Sequence, residues 1–271
     1  MHAATATAAI LGLAAAASAQ PWLGSATYRL EFQADWSAAT HPTAFPPRPH
    51  FSGLVGAVHN EDGVLWEAGA LASDGMESMA ETGSKTLLIG EVNDLIDAGD
   101  ALSVISGGGI PLSPGSVTVE FEVRQDFPLV TVVSMIAPSP DWFVGTRSLS
   151  LRQLGTWVET LEFDLRPYDS GTDSGPSYTS PNMDTVPPEP IRLIASEFPF
   201  TGTPALGRFV LTRTSTRCPA DYGGDGLLTI FDFLEFLNDF DARDPMADFD
   251  GDGEFTIFDF LAFQNAFQIG C

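Results

Sequence analysis

Near its C-terminus the chain repeats one twelve-residue pattern, and this duplication restricts the fold more than any other feature of the sequence. Residues 221–232 read Asp-Tyr-Gly-Gly-Asp-Gly-Leu-Leu-Thr-Ile-Phe-Asp, and residues 248–259 read Asp-Phe-Asp-Gly-Asp-Gly-Glu-Phe-Thr-Ile-Phe-Asp. Each copy has carboxylates at positions 1, 5 and 12, and a glycine at position 6, where a calcium-binding loop makes its sharp turn. The spacing therefore predicts two loops whose oxygen ligands hold Ca²⁺, each followed by a helix.

The two loops offer different ligands. Those predicted for the second loop are Asp248, Asp250, Asp252, Asp259 and the backbone carbonyl of Glu254. Those predicted for the first loop are Asp221, Asp225 and Asp232. Gly223 stands where the first loop needs a side-chain ligand, so that either water replaces it or the affinity falls. Without a cation such close carboxylates repel each other, so metal binding and folding of this segment are expected to be coupled.

Charge and cysteine content set the same segment apart. Residues 218–271 carry 12 acidic side chains and one cation, Arg243, in a chain whose net charge is −24. The two cysteines of the chain, Cys218 and Cys271, are the first and last residues of the segment. In an exported protein we expect one disulfide between them, which would contribute about 4 kcal/mol by closing the loop. The sequence thus predicts a separate domain over residues 218–271.

This C-terminal segment resembles the dockerin type I modules found at the C-termini of exported bacterial proteins. The matching stretches are Cys-Pro-Ala-Asp at 218–221, Asp-Gly at 225–226, Phe-Asp at 231–232, Asp-Phe-Asp-Gly-Asp-Gly at 248–253, Phe-Asp at 258–259 and the final Cys271. The resemblance implies two Ca²⁺-loop–helix units that dock into a receptor domain, so a cohesin-like receptor is a candidate partner. After Thr229 and Thr256 both repeats carry Ile-Phe, which either contacts such a partner or packs between the helices.

The first residues of the chain have the pattern of an export signal. The apolar run Ala8–Ala17 would form about 15 Å of helix, which is too short to cross a bilayer. Ala17 and Ala19 are the small residues of a signal-peptidase site, so we expect a signal peptide over residues 1–19 and a secreted or cell-envelope protein. The alternative is a disordered Ala-rich tail. The rest of the sequence offers no apolar stretch long enough for a transmembrane segment.

Residues 22–216 contain short runs in which apolar and polar side chains alternate, as in antiparallel strands. Such runs lie at 28–34, 116–123 and 157–165. The denser apolar run at 129–136 predicts a strand covered on both faces. Further strands are expected at 51–59, 191–198 and 208–214, and short helices at 73–81 and 91–98. We therefore expect a mainly β protein: an antiparallel β-sandwich in one domain, followed by a small α-helical calcium-binding domain.

Several segments of this larger region resemble the spondin domain, the N-terminal module of secreted matrix proteins. They are His-Phe-Ser-Gly-Leu-Val-Gly-Ala-Val-His at 50–59, Leu-Trp-Glu-Ala-Gly at 65–69, Pro-Ser-Pro-Asp-Trp-Phe-Val-Gly at 138–145 and Asp-Ser-Gly-Thr-Asp-Ser-Gly at 169–175. The resemblance implies a β-sandwich similar to calcium-dependent membrane-targeting sandwiches, with one calcium site at a loop end and a role in adhesion or extracellular recognition. Carried over by motif, the calcium ligands are Asp141, Asp169 and Asp173.

Composition and motifs exclude several other functions. With 12 basic against 36 acidic residues, the chain lacks the basic surface that nucleic-acid binding requires. It contains no nucleophile elbow, zinc-binding helix, phosphate loop or dinucleotide fingerprint, so we expect a protein that is not an enzyme. His41, His50 and His59 are expected to be buried or capping residues rather than a cluster. Trp142 is either a core residue or a sugar-stacking platform.

We therefore expect a secreted calcium-binding adhesion or recognition protein. Its sandwich would bind an extracellular protein or glycan, and its C-terminal domain would serve anchoring or assembly. One alternative is a calcium-dependent polysaccharide-binding protein or a subunit of a polysaccharide-degrading assembly. A structural envelope component is another, and an enzyme would be favoured if paired carboxylates with raised pKa values lay in a deep cleft.

Overall fold

The computed structural model describes residues 24–153, 156–224 and 227–270. The expected signal peptide, Asp225 and Cys271 lie outside the described residues. The strands are β1 (Ser25–Ala34), β2 (His50–Phe51), β3 (Val55–His59), β4 (Ala101–Ser106), β5 (Gly115–Arg124), β6 (Leu129–Ala137), β7 (Trp142–Gly145), β8 (Leu149–Ser150), β9 (Arg152–Gln153), β10 (Thr156–Trp157), β11 (Thr160–Leu165), β12 (Tyr168–Asp169), β13 (Arg192–Leu193) and β14 (Gly207–Arg217). The helices are α1 (Asp74–Thr82), α2 (Thr86–Ala98), α3 (Ile230–Ala242) and α4 (Ile257–Ile269), with a 3-10 turn at Pro245–Ala247.

Two antiparallel sheets form the β-sandwich that the alternating runs predict. One sheet has the strand order β11–β14–β1–β5; the other runs β13–β12–β7–β6–β3–β4, with β2 and β8 also paired to β6. Tyr28, Leu30 and Phe32 of β1 are fully buried and belong to one core with Val130 and Val132 of β6. The main core therefore lies between the two sheets, in agreement with a mainly β fold.

Helices α1 and α2 cover the other face of the second sheet. Met76 and Met79 of α1 and Leu88 and Val92 of α2 form a second core together with Val133 of β6. Strand β6 is consequently buried along nearly all of its length, which confirms the prediction made from its dense apolar run.

Some predicted element boundaries were wrong. The strand expected over 191–198 is reduced to β13, because residues 195–200 form turns. The run 157–165 is divided between β10 and β11, and β4 was not predicted because its sequence, Ala-Leu-Ser-Val-Ile-Ser, does not alternate strictly. Helix α2 begins at Thr86, before Gly90, since burial of Leu88 and Val92 outweighs the cost of about 1 kcal/mol for an interior glycine.

The C-terminal repeats fold into two loop–helix units with a third hydrophobic core. Phe236 of α3 and Phe263 of α4 are the fully buried phenylalanines of this core, which consists of residues from Cys218 onward. Thr229 and Thr256 cap the two helices in the same manner, each with a capping box. Within the described ranges, none of the helices has the length and apolar character that a membrane span requires.

Candidate metal sites

Asp141 immediately precedes β7 and has no exposed surface. Its Oδ2 atom accepts hydrogen bonds from Thr172 N at 2.8 Å, Asp173 N at 3.1 Å and Ser170 Oγ at 3.0 Å, all in the loop that follows β12. Its Oδ1 atom is buried and finds no donor among the described residues. A buried carboxylate oxygen without a partner is costly, and a cation bound to Oδ1 would remove that cost. Asp141 therefore fits the role of a metal ligand.

Asp169, the last residue of β12, lies beside Asp141 and is nearly buried. Its Oδ1 atom accepts from Gly171 N at 2.9 Å, and its Oδ2 atom pairs with Arg192 Nη2 at 2.9 Å. Burial, and then the Asp141 charge, raise the pKa of Asp169 to about 6, although Arg192 opposes the shift. Gly171 is required here, because its φ is 78° and a Cβ would lie 2.0 Å from the Glu189 carbonyl oxygen.

Asp173 completes the predicted set on the same loop. Its Oδ1 atom accepts from Gly175 N at 2.7 Å and its Oδ2 atom from Met183 N at 3.3 Å. Burial is the largest cause that raises the pKa of Asp141, and the Asp173 charge adds to it against the hydrogen bonds from the loop. The structure thus brings Asp141, Asp169 and Asp173 to one end of the sandwich, where their negative charges affect each other.

A fourth carboxylate, Glu81 in the last turn of α1, faces this group and was missed by the sequence analysis. Burial raises the pKa of Glu81, and the charges of Glu77, Asp173 and Asp141 add to the shift, while a hydrogen bond with Thr172 opposes it. No local motif marks Glu81, since its approach to Asp141 results from the packing of α1 against β6 and β7. Only a tertiary contact map would have found it.

In the second C-terminal loop, Asp248, Asp250 and Asp252 bring ligand oxygens within 4.8 Å of one another, and no other such acidic group occurs among the described residues. The Oδ1 atom of Asp248 is buried and has no partner among those residues. Burial, and then the charges of Asp259, Asp252 and Asp248, raise the pKa of Asp250. The N–H of Glu254 donates to Asp252 Oδ1 at 2.7 Å, and the expected ligation by its carbonyl stays a prediction. The donor set fits a hard cation such as Ca²⁺.

The aspartates at position 12 of the loops, Asp232 and Asp259, are engaged by the backbone. The donors to Asp259 are the N–H groups of Phe249, Asp250 and Thr256, at 2.7, 3.2 and 2.7 Å. The donors to Asp232 are the N–H groups of Gly223 and Thr229, at 3.0 and 2.7 Å. These carboxylates hold each loop against the first turn of its helix, and metal ligation by them stays a prediction.

Two predicted features extend beyond the described residues. The first calcium loop is described at Asp221 and Asp232 but not at Asp225, so its ligand set stays a prediction. The same holds for the disulfide, because Cys218 is described and Cys271 is not.

The Ile-Phe pairs of the two repeats are on the surface. The exposed fractions are 62% for Ile230, 70% for Phe231, 61% for Ile257 and 64% for Phe258. The alternative in which these pairs pack between the helices is therefore wrong. Phenylalanines further along each helix occupy the core instead.

Two of the histidines and the tryptophan that the sequence singled out are buried and packed against other residues. His41 lies near the Pro204 carbonyl oxygen, and His59 is bonded to Thr131 Oγ1, so these buried histidines have different partners. Trp142 is 4% exposed and its ring contacts Phe200 at 5.3 Å. The sugar-stacking alternative for Trp142 is wrong, because its ring packs against Tyr178 and Phe200 and the 4% that is exposed is too small a surface for a sugar to stack on.

Most of the chain is similar in sequence to known proteins. Residues 26–205 match the family model described as Spondin_N. The chain is 40% identical over 182 residues to spondin-1 of Gallus gallus, a match covering 64% of this chain and 22% of that protein. It is 38% identical over 181 residues to spondin-2 of Homo sapiens, covering 64% of this chain and 54% of that protein. The matched part thus spans about half of spondin-2 and about a fifth of spondin-1.

Proposed function

The chain belongs to the Spondin_N family, and on that premise we propose that it is a secreted calcium-binding protein of adhesion or recognition outside the cell. The observation that carries the proposal is the buried Asp141 carboxylate, whose Oδ1 atom has no donor among the described residues while Asp169, Asp173 and Glu81 lie around it. A divalent cation is the ligand that such a group stabilises most, because it neutralises several buried carboxylates at once.

The bound ion would serve recognition by rigidifying the loops at this end of the sandwich. A pocket of about 380 Å³ adjoins the site and is lined by Asp169, Asp173, Arg192 and Phe198. Phe198 is 56% exposed and offers an aromatic face beside the charged groups. An ion with an open coordination position at this pocket would contact an anionic group of an extracellular protein or glycan.

We assign no catalytic step to these carboxylates despite their raised pKa values. Asp141 has no exposed surface, so it has no access to a substrate. Both oxygens of Asp169 are already engaged, one by Gly171 and one by Arg192. The raised pKa values result from burial next to other carboxylates, and such a group is expected at a cation site as well as at a catalytic one.

A polysaccharide ligand is the second candidate, favoured by the composition of the same pocket. Thr185, Arg192 and Glu197 supply hydrogen-bonding groups there, next to the exposed ring of Phe198. Polar groups next to an aromatic face suit a sugar, which has hydroxyl groups and an apolar ring face. In this version the protein is a polysaccharide-binding component or a subunit of a polysaccharide-degrading assembly.

For the C-terminal segment we propose a dockerin-like calcium module that anchors or assembles the protein. The proximity of Asp248, Asp250 and Asp252 supports calcium binding in the second loop. The exposed pairs at Ile230-Phe231 and Ile257-Phe258 support docking, because apolar side chains repeated on a surface are typical of a protein interface. A cohesin-like receptor is the candidate partner.

The proposal is tested by measuring binding of the full chain to arrays of extracellular-matrix proteins and of glycans, with calcium and with a chelator. We expect binding that is lost in chelator and in Asp141→Asn, since the amide would lack the charge that holds the ion. Asp164→Asn, at an exposed position on β11, is the matched control and should bind as the wild type does. Binding that persists in chelator would contradict a calcium-dependent function, and the array that responds identifies the ligand class.

A further inference from the structure

Arg192 is held by two carboxylates at the edge of the candidate calcium site. It is the register partner of Asp169 across the β12–β13 pair. Its Nη2 atom is 2.9 Å from Asp169 Oδ2, and its Nη1 atom is 2.6 Å from both carboxylate oxygens of Glu197. The guanidinium therefore has two anionic partners, and only one of them belongs to the predicted ligand set.

This arrangement limits what Asp169 offers to a cation. Its Oδ1 atom accepts from Gly171 N and its Oδ2 atom is paired with Arg192. The oxygens of Asp141, Asp169 and Asp173 are also not gathered as closely as those of the C-terminal loop, since only the latter come within 4.8 Å of one another among the described residues. The guanidinium and a cation therefore compete for the Asp169 carboxylate, because two positive charges held on one carboxylate repel each other, and an ion that binds at Oδ2 displaces the guanidinium. Glu197 would retain Arg192 after that displacement.

We propose that Arg192 is a specificity-determining residue of this site, an inference that rests on the proposed calcium binding. In the metal-free chain the guanidinium neutralises Asp169, and Ca²⁺ replaces it there. A sodium or potassium ion carries the same charge as the guanidinium and gains little from the exchange, whereas a divalent ion doubles the Coulomb attraction to the surrounding carboxylates. Arg192 thereby excludes monovalent cations and lowers the calcium affinity of the site.

The chain offers a signal that reports on this site alone. Trp142 lines the same pocket as Asp169 and Asp173, and residues 218–271 contain no tryptophan. Terbium luminescence excited through tryptophan therefore follows the sandwich site in the full chain without interference from the C-terminal loops. Displacement of Tb³⁺ by Ca²⁺ then gives the calcium dissociation constant, and the same titration in sodium chloride gives the competition by Na⁺.

Arg192→Gln should bind calcium more tightly, by roughly two- to fivefold, as the loss of a competing half-exposed ion pair implies. Its calcium binding should also become more sensitive to sodium. Glu197→Gln should have the opposite effect on calcium, because Arg192 then has no second carboxylate to move to. Arg208→Gln is the matched control: its side chain is 43% exposed against 44% for Arg192, and it pairs with Glu162 on the other sheet.

The double variant Asp169→Asn/Arg192→Gln separates displacement from a general charge effect. If Arg192 acts through Asp169, removing the guanidinium from the Asp169→Asn background should leave calcium affinity unchanged. Equal tightening in both backgrounds, unchanged affinity in Arg192→Gln, or weaker binding in that variant would overturn the proposal while leaving the calcium site in place. A terbium signal that is unchanged in Asp141→Asn would overturn the proposed site itself.

Discussion

Phe236 and Phe263 stack face to face, with ring centroids 4.1 Å apart and ring planes inclined by 1°. They are 27 positions apart, which is also the offset between the repeated loops. Phe233 and Phe260, another pair with this offset, contact each other at 5.9 Å. Equivalent side chains of the two repeats thus meet each other, so that the duplication in the sequence is also a symmetry of the packing.

Replacing one ring of this stack should unfold the C-terminal module selectively. Phe263→Ala removes a fully buried aromatic side chain, and we expect the module to lose about 3–5 kcal/mol of stability. Circular dichroism during urea unfolding would report the helices, while tryptophan fluorescence, confined to the residues before Cys218, would report the sandwich. Phe258→Ala, at a side chain that is 64% exposed, should change stability by less than about 0.5 kcal/mol.

Removing one carboxylate from the second loop should abolish the effect of calcium on the same module. In Asp252→Ala the ion loses one of three convergent ligands, and we expect the C-terminal helices to melt while the sandwich stays folded. Calcium titrations followed by circular dichroism would show the loss. A single transition in which helices and tryptophan signal disappear together would contradict independent folding of the two parts.

The metal-free sandwich should lose stability as pH rises from about 4 to about 6 through the titration of Asp169. The pKa of this carboxyl is raised to about 6 in the folded state, so the native protein binds the proton more tightly than the unfolded chain in that window. The raised pKa values of Asp141 and Glu81 act in the same direction, whereas the lowered pKa values of buried His41 and His59 act in the opposite one.

Comparing wild type with Asp169→Asn in chelator isolates that contribution. Melting temperatures from tryptophan fluorescence, taken at about pH 4 and about pH 7, should show a steeper decline with pH in the wild type. Added calcium should restore wild-type stability at the higher pH, since the ion replaces the proton. Parallel curves for the two proteins would show that Asp169 does not titrate in the expected range.

The exposed phenylalanines of the repeats should contribute to docking and not to folding. We expect Phe231→Ala/Phe258→Ala to keep the wild-type melting temperature and to lose affinity for a cohesin-like receptor by at least about tenfold, because truncated aromatic anchors typically cost more than 1 kcal/mol each. Surface plasmon resonance in calcium measures the affinity. Undiminished binding by the folded double variant would assign docking to another surface.

Local patterns predicted much of the fold. Alternation revealed β1, β5 and β14, and the apolar run of β6 predicted a strand covered on both sides. The duplicated loops indicated that Asp248, Asp250 and Asp252 converge, because their spacing within one short loop fixes their distance. Such features depend on residues that are close together in the chain, so a local sequence pattern is enough to predict them.

Features that depend on tertiary packing were not predictable in the same way. Glu81 lies near Asp141 because α1 packs against the sheet. Arg192 lies beside Asp169 because it belongs to the two-residue strand β13, where the sequence predicted a longer strand over 191–198. The sequence did not decide whether Phe231 is buried or exposed, because phenylalanine occurs at both core and interface positions. The structure decides it: Phe236 fills the core, and Phe231 lies on the surface. In each case the position of the residue depends on contacts with residues that are distant in the sequence, or on which face of the helix packs in the core.

The most direct test of the calcium site is an anomalous difference map from crystals of the full chain grown with calcium. We expect a peak about 2.3–2.6 Å from Asp141 Oδ1, with an oxygen of Asp173 or Glu81 in the same coordination shell. Peaks confined to the C-terminal loops, with Asp141 Oδ1 bonded to a proton donor instead, would contradict it.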